Sequence, residues 1–364
     1  MKYFRSLGLF VVILARSPAP IDARIQWHDT GKGSIALEEA WSIPELGTSN
    51  APPPLGQTNA ELNANLLDIY NQRLAQMDAT GVDFMVLSCT VPCIQGISDP
   101  STAEEMAINV NNQLAAQISQ SSGQNSTGRF GAFATLSMHN ASAAAAELRR
   151  TVEDLGFLGA LVNDYQQSGA NNDTLLFYDQ PEYDVFWNVV TQLDVPVYFH
   201  PRLNVAPIST LLYSHSRWLT GARQEYAVTL SNHILRMCTN GVFDRFPNLK
   251  IIVGHMGERI PSDLDRIDKE LALQKPVGMP MLRNVSSYFK TNIWTTSSGS
   301  FNPALLEFHK QQIGLGRIMY SIDYPFEKMK DGENFLGELE EVLSEEELRK
   351  FKRETAITLL KLNN

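Results

Sequence analysis

Short apolar runs rich in β-branched residues recur along this chain, each followed by a stretch whose apolar positions repeat with helical period. The runs are Ser34 to Ala40, Asp83 to Cys89, Phe130 to Met138, Leu158 to Asn163, Val195 to His200, Lys250 to His255, Asn292 to Ser297 and Arg317 to Asp323. Most are almost continuously apolar, as strands buried on both faces are. Between them the spacing predicts helices over Ala103 to Ile118, Ala143 to Leu155, Tyr183 to Leu193, Ala222 to Asn240 and Ser262 to Leu273. A last helix, Ser344 to Leu362, opens on a capping box of Ser344 and Glu347. This alternation makes the fold class α/β and fits a closed (β/α)8 TIM barrel. A glycine-rich phosphate loop does not follow the first strand, which argues against an open nucleotide-binding sheet.

Composition narrows the class further. With 364 residues, 43% of them hydrophobic, the chain can bury one large core, and residues 24–364 read as a single barrel domain. A net charge of −10 without a long Lys/Arg run excludes an electrostatic grip on nucleic acid or on an anionic membrane, leaving small molecules as the expected partners. Residues 1–23 stand apart: Lys2 and Arg5 precede an apolar run from Leu7 to Ala15 and then Ser17, Pro18 and Ala19. That is signal-peptide grammar, too short to span a membrane, and the alternative is an N-terminal extension of a cytoplasmic protein. Sequons at Asn125, Asn140, Asn172 and Asn284 are compatible with secretion. Three cysteines, Cys89, Cys93 and Cys238, encode no disulfide framework and lack the ligands of a structural zinc site. They read as free, mostly buried thiols, which weighs mildly against an oxidising compartment.

In such a barrel the chemistry lies at the carboxyl ends of the strands, so polar residues that terminate apolar runs are the ones to collect. Glu38 ends the first run, His200 the fifth, His255 the sixth and Asp323 the eighth, and Glu258 follows His255 by three residues. Any one of them could instead cap the next helix or satisfy a local hydrogen bond. Together, carboxylates and imidazoles converging from several strands form an open divalent-metal site.

Four motifs carry a resemblance: Ala36-Leu-Glu-Glu39, Phe199-His-Pro-Arg202, Val253-Gly-His-Met-Gly-Glu258 and Ser321-Ile-Asp-Tyr-Pro-Phe-Glu327. In this order and spacing they resemble the ACMSD-like branch of the amidohydrolases, above all its 2,3-dihydroxybenzoate and γ-resorcylate decarboxylases. The resemblance implies a barrel of the metal-dependent hydrolase type, with Glu38, His200 and Asp323 as metal ligands, His255 beside the metal and Glu258 hydrogen-bonded to it. It further implies that Trp41, Asn163, Arg266 and Phe326 contact the substrate; for Trp41 and Phe326 the alternative is ordinary core packing. Family members often carry a histidine two residues after the first-strand glutamate, where this chain has Ala40. The oxygen-rich set that remains suits one Mg²⁺ or Mn²⁺ ion as well as Zn²⁺. A homodimer or homotetramer is implied by the resemblance only.

The expected activity is that of a carboxy-lyase: non-oxidative decarboxylation of an ortho-hydroxylated benzoic acid, without an organic cofactor. The candidate substrates are 2,3-dihydroxybenzoate, salicylate, 2,6-dihydroxybenzoate, 6-methylsalicylate and orsellinate. Direct loss of CO₂ would leave a carbanion in the ring plane, where the π system cannot stabilise it, so a proton must reach the ring carbon first. Asp323 is the candidate donor, with His255 and Glu258 setting its protonation or relaying the proton. One alternative within enzymes is a metal-dependent hydrolase of a lactone or related ring. A binding protein on an inactive barrel is the alternative from another class, and it leaves the joint presence of Glu38, His200, His255 and Asp323 unexplained.

Overall fold

A computed structural model describes residue 27 and residues 29–49, 51–120 and 128–362. Residues 1–23 and the Asn125 sequon lie outside the described residues. Eight parallel strands form the staves: β1 (Ser34–Trp41), β2 (Val82–Cys89), β3 (Phe130–Ala132), β4 (Ala160–Asn163), β7 (Val197–His200), β8 (Ile251–Val253), β9 (Ile293–Thr296) and β10 (Ile318–Met319). The two remaining strands, β5 (Gln166–Ser168) and β6 (Thr174–Leu176), make an antiparallel hairpin after β4. Backbone ladders join the staves into sheets of three and five. The seam between β3 and β4 is bridged by Leu158 N–H to Ala132 O, Ala134 N–H to Gly159 O and Leu161 N–H to Ala134 O, each at 2.9 Å.

The seam between β10 and β1 is closed mainly by side chains. Ala40 N–H reaches Tyr324 O at 2.7 Å. Beside it, the Glu39 carboxylate accepts from the Ser321 hydroxyl and from the backbone N–H groups of Ile322 and Tyr324, all at 2.9 Å. Burial pushes the Glu39 carboxyl up to about 8, against those three donors, which favour its charged form. The Ser321 oxygen in turn accepts the N–H groups of Leu37 and Glu38, at 3.1 and 2.7 Å. Two successive amides aimed at one oxygen mark a β-bulge, and the register shows it: Ala36 pairs Met85 and Glu39 pairs Leu87, so two residues of β1 oppose one of β2.

The bulge decides which side chains enter the barrel. Ile35 and Leu37 pack inside with Phe84, Val86, Leu161 and Tyr198. Without the extra residue, strict alternation would carry Glu39 and Trp41 inward as well. Instead Glu38 and Ala40 face the interior, and Trp41 joins the layer between strands and helices, its indole N–H donating to Gln117 at 3.2 Å. The expectation that Trp41 lines the substrate ring is therefore corrected.

Ala356, Leu359 and Leu360 of the C-terminal helix close the barrel floor. That helix is not the uninterrupted run predicted. Glu345–Arg349 and Thr355–Leu360 are α-helical, but Lys350–Glu354 is a π turn, and its Phe351 carbonyl accepts Tyr320 N–H at 3.1 Å. A bond drawn from outside the helix is one of the ordinary causes of such an irregularity. The eighth strand is shorter than expected because the backbone beyond Met319 bonds to the Ser297 hydroxyl, to Phe351 and to Glu39 rather than to a strand ladder. The cysteine expectation is also corrected: Cys89 and Cys93 form a disulfide, their Cα atoms 5.9 Å apart, and only Cys238 is a free, buried thiol.

Ser321→Ala removes the acceptor of two buried amides and one donor to Glu39. The expected loss of stability is about 2–4 kcal/mol, read from the denaturant midpoint, and a midpoint unchanged from the parent would show that the seam does not depend on this hydroxyl.

Candidate active site

At the carboxyl ends of the staves, ligand atoms of Glu38, His200, His255 and Asp323 all lie within 4.8 Å of one another. His200 Nε2 is 3.1 Å and His255 Nε2 3.3 Å from the same oxygen, Glu38 Oε1. The second Glu38 oxygen is occupied by three hydroxyls from two other strand ends: Tyr198, Ser298 at 2.5 Å and Thr296 at 3.4 Å. Oε1 is therefore the free ligand atom, buried and without a donor.

The tautomers make the same point. His200 Nδ1 sits 2.7 Å from the Pro201 carbonyl, and His255 Nδ1 2.8 Å from Glu258 Oε1. Each Nδ1 faces an acceptor and so carries the proton, leaving the neutral ring's Nε2 lone pair directed at the Glu38 lone pair. Lone pairs facing each other at this distance call for a positive charge between them. The donor set thus fits a divalent cation held by Glu38, His200 and Asp323, with His255 Nε2 beside it.

Electrostatics follow from crowding. Burial raises the Glu38 carboxyl, but with protons on the two Nε2 atoms in the place of a cation the charge of His255 and the Nε2–H of His200 outweigh it and hold the group well below its ordinary value. Burial and the neighbouring Glu38 charge raise Asp323, despite the opposing pull of the two histidines. His255 is lowered by burial and raised more strongly by Glu38 and Glu258, to well above its ordinary value. Glu327, on the same side, is pushed up to about 7 by burial and by Asp323.

The sixth stave ends differently from expectation. The strand stops at Val253, and His255, Met256, Gly257, Glu258 and Arg259 all have positive φ, between 49° and 73°. For L-residues such a left-handed turn costs about 1–2 kcal/mol each, a strain of the kind that gathers at functional sites. It allows His255 and Glu258 to face one cavity. Two glycines are required here. A Cβ at Gly254 would collide with the Glu38 carboxylate, and one at Gly257, which also has φ 73°, would come within 2.9 Å of Thr295 Cγ2. Asp323 itself has φ 77°.

Two spaces meet at Asp323. A cavity of about 350 Å³ is bordered by His255, Glu258, Tyr226, Arg259, Ser298 and Glu327. A narrow crevice on the other side is walled by Ala40, Val91, Leu161 and Phe326, with Cys89 beside them. Asn163 ends β4 in register with His200, 1% exposed, and neither polar atom of its side chain has a partner. Arg266, on the helix Leu264–Ala272, is exposed and borders neither space, so the expected contact is not formed within this chain.

Sequence reasoning missed Tyr198, Thr296, Ser298, Glu39, Tyr226 and Glu327. A signal existed for Tyr198, which shares a face with His200 at strand spacing. The hydroxyl run Thr295 to Ser298 at the seventh strand end was another. Nothing local marks Tyr226 or Glu327 as neighbours of Asp323.

Comparison with known proteins agrees with this geometry. An amidohydrolase family model matches residues 51–362. The γ-resorcylate decarboxylase of Rhizobium radiobacter is 39% identical over 333 residues, 91% of this chain and 99% of that one. The crystal structure of 2,6-dihydroxybenzoate decarboxylase from Rhizobium superposes with a TM-score of 0.84 at 39% identity, covering 92% of this chain and 100% of that one. A dihydroxybenzoic acid decarboxylase from Polaromonas sp. JS666, with bound manganese and the inhibitor 2-nitroresorcinol, gives 0.83 at 36% identity, with 91% and 98% covered. Fold, motifs and these likenesses converge: this chain belongs to the amidohydrolase family, among relatives that decarboxylate hydroxylated benzoic acids.

Proposed function

We infer that this protein is a metal-dependent carboxy-lyase that removes CO₂ from an ortho-hydroxylated benzoic acid. The observation that carries the reading is the convergence of Glu38, His200, His255 and Asp323 around the unpartnered Glu38 Oε1. Support comes from the hydroxybenzoate decarboxylases that the chain matches over nearly its whole length.

Glu38, His200 and Asp323 would hold the cation, with His255 Nε2 beside it. When bound, a divalent metal would hold the substrate carboxylate and ortho oxygen together and favour the phenolate form. A harder, oxygen-rich set makes Mn²⁺ and Mg²⁺ the first ions to test, and Zn²⁺ the next. The chain's own task is to deliver one proton. Asp323, raised by burial, holds it at a carboxyl oxygen, and His255 lies 3.6 Å from Asp323 Oδ2 with Glu258 fixing its ring. The proton adds to the ring carbon that bears the carboxylate. The bond from that carbon to the carboxyl carbon then breaks, its electron pair restores the aromatic ring, and CO₂ leaves. The proton is made good from the phenolic or carboxylic proton of the next substrate or from water, through His255 and Glu258.

The 350 Å³ cavity is of small-molecule size. Asn163, with a buried and unpartnered amide, suits a ring hydroxyl, and Phe326 with Leu161 and Ala40 suits the ring edge. Incubation of metal-loaded protein with 2,3-dihydroxybenzoate, 2,6-dihydroxybenzoate, salicylate, 6-methylsalicylate and orsellinate should release CO₂ and the phenol from at least one of them. Release from none, with lactones hydrolysed instead, would overturn the reading.

Asp323→Asn should lower turnover by about 10²–10⁴-fold in protein whose metal content is confirmed by elemental analysis. Near-normal turnover with metal bound would remove Asp323 as the donor.

Two wider expectations belong to the same proposal. The segment 206–219 exposes Leu211 (83%), Leu212, Trp218 (70%) and Leu219 beside the barrel mouth, an apolar strip of the kind that marks subunit contacts. A homodimer or homotetramer would cover it. The Cys89–Cys93 disulfide suits an oxidising compartment, and Asn140, Asn172 and Asn284 are exposed as glycan acceptors must be. Together with the leader-like first residues these features favour passage through the secretory route. Light scattering on protein secreted from a eukaryotic host should give the mass of two or four chains, reduced by enzymatic removal of N-glycans. A monomeric mass insensitive to deglycosylation would contradict both expectations.

A further inference from the structure

Opposite the active site, at the amino ends of β8, β9 and β10, a groove of about 580 Å³ runs between the barrel floor and the C-terminal helix. Lys250, Arg317 and Lys350 border it, together with Trp294, Thr355 and Leu359. In a chain of net charge −10 this concentration of cations is unusual.

Arg317 is the centre of the argument. Its guanidinium stacks over the Trp294 ring at 4.0 Å. Five N–H donors need acceptors, yet among the described residues its guanidinium forms no ion pair, and the buried Nη1 has no hydrogen-bond partner. Burial alone lowers its pKa, and no carboxylate opposes that shift. Other arginines of this protein, such as Arg129, Arg236, Arg283 and Arg353, each have a carboxylate partner. The Thr355 hydroxyl, 6% exposed and bordering the same groove, is a second polar group without a partner.

The surrounding charges do not supply the missing anion. Lys250 and Lys361 share one carboxylate, Asp194, each at 2.5 Å, so one positive charge remains over. Glu354 also borders the groove, but its carboxylate is paired with Arg349 at 2.8 Å. Lys350, exposed, lies beside Gly316 at the rim.

We propose that this groove is an oxyanion-binding site, separate from the catalytic centre, which takes the carboxylate or phosphate of a small molecule on Arg317, Thr355 and Lys350. A guanidinium can offer two N–H groups to two oxygens at once, the geometry that carboxylates and phosphates share. Leu359 and Ile313 offer apolar contact for the rest of such a ligand.

Calorimetric titration of the metal-loaded enzyme with inorganic phosphate, and separately with acetate, tests this. At least one of the two should bind saturably. Apart from any binding at the catalytic metal, one phase should weaken by about tenfold or more in Arg317→Met, since charged hydrogen bonds are lost, and persist in Asp323→Asn. Phosphate alone binding would assign a phosphorylated ligand, acetate alone a carboxylic acid, and both a general oxyanion site. Lys350→Ala, at the exposed rim, gives the same comparison if Arg317→Met does not fold. Absence of saturable binding, binding in the Arg317 and Lys350 variants equal to that of the parent, or loss of all binding in Asp323→Asn would each overturn the proposal.

Discussion

One inserted residue in β1 governs where the chemistry sits. The bulge at Leu37 and Glu38 exists because two successive amides share the Ser321 oxygen, and it turns Glu38 inward while Glu39 turns toward the seam. Adjacent glutamates thereby acquire opposite tasks. Glu39 ties β1 to the eighth stave through three donors, and Glu38 enters the barrel with one oxygen fixed by hydroxyls and the other free. The same residue, Ser321, is two positions from Asp323. Barrel closure and the relative placement of two of the four converging side chains are thus one structural event.

Much of this was legible beforehand. Eight apolar runs located eight staves because buried parallel strands leave a plain sequence trace, and polar residues at their ends located Glu38, His200, His255 and Asp323. What failed did so for identifiable reasons. The place of Trp41 rests on the resemblance alone, and the face of β1 that it takes is decided by a bulge whose contacts lie 284 and 283 residues away in the chain. The last helix reads as uninterrupted because a π turn is fixed by a tertiary bond to Tyr320, not by local propensity. The sparseness of the cysteine set points to free thiols, whereas the pairing of Cys89 with Cys93 depends on the loop path after β2. Of the helices absent from the sequence reading, Asn59–Leu67 carries a weak amphipathic pattern, whereas Met329–Leu339 carries a plain one.

The site also shows how a fold tolerates groups that would destabilise it elsewhere. Three acids, Glu38, Glu258 and Asp323, stand around two imidazoles in a region largely closed to water. Carboxylates this close raise one another's pKa unless positive charge intervenes, and the two histidines supply it only in part. A left-handed turn from His255 to Arg259 adds conformational cost. None of this improves packing. It brings an imidazole and its orienting carboxylate to the open face of Asp323, and a cation would relieve the repulsion that remains.

That relief has a structural consequence for the whole mouth of the barrel. Gly254 lies against the Glu38 carboxylate with no room for a Cβ, Gly257 lies against Thr295 and Pro261, and Thr296 and Ser298 hold the far oxygen of Glu38. β8 and β9 therefore meet on β1 through Glu38, much as β10 meets β1 through Glu39. The first stave is gripped on both faces by carboxylates, one serving closure and one serving the site. Geometry at the site is accordingly set by the strand ends and by the tightly held turns that follow them, which is what selective proton delivery to a single ring carbon requires.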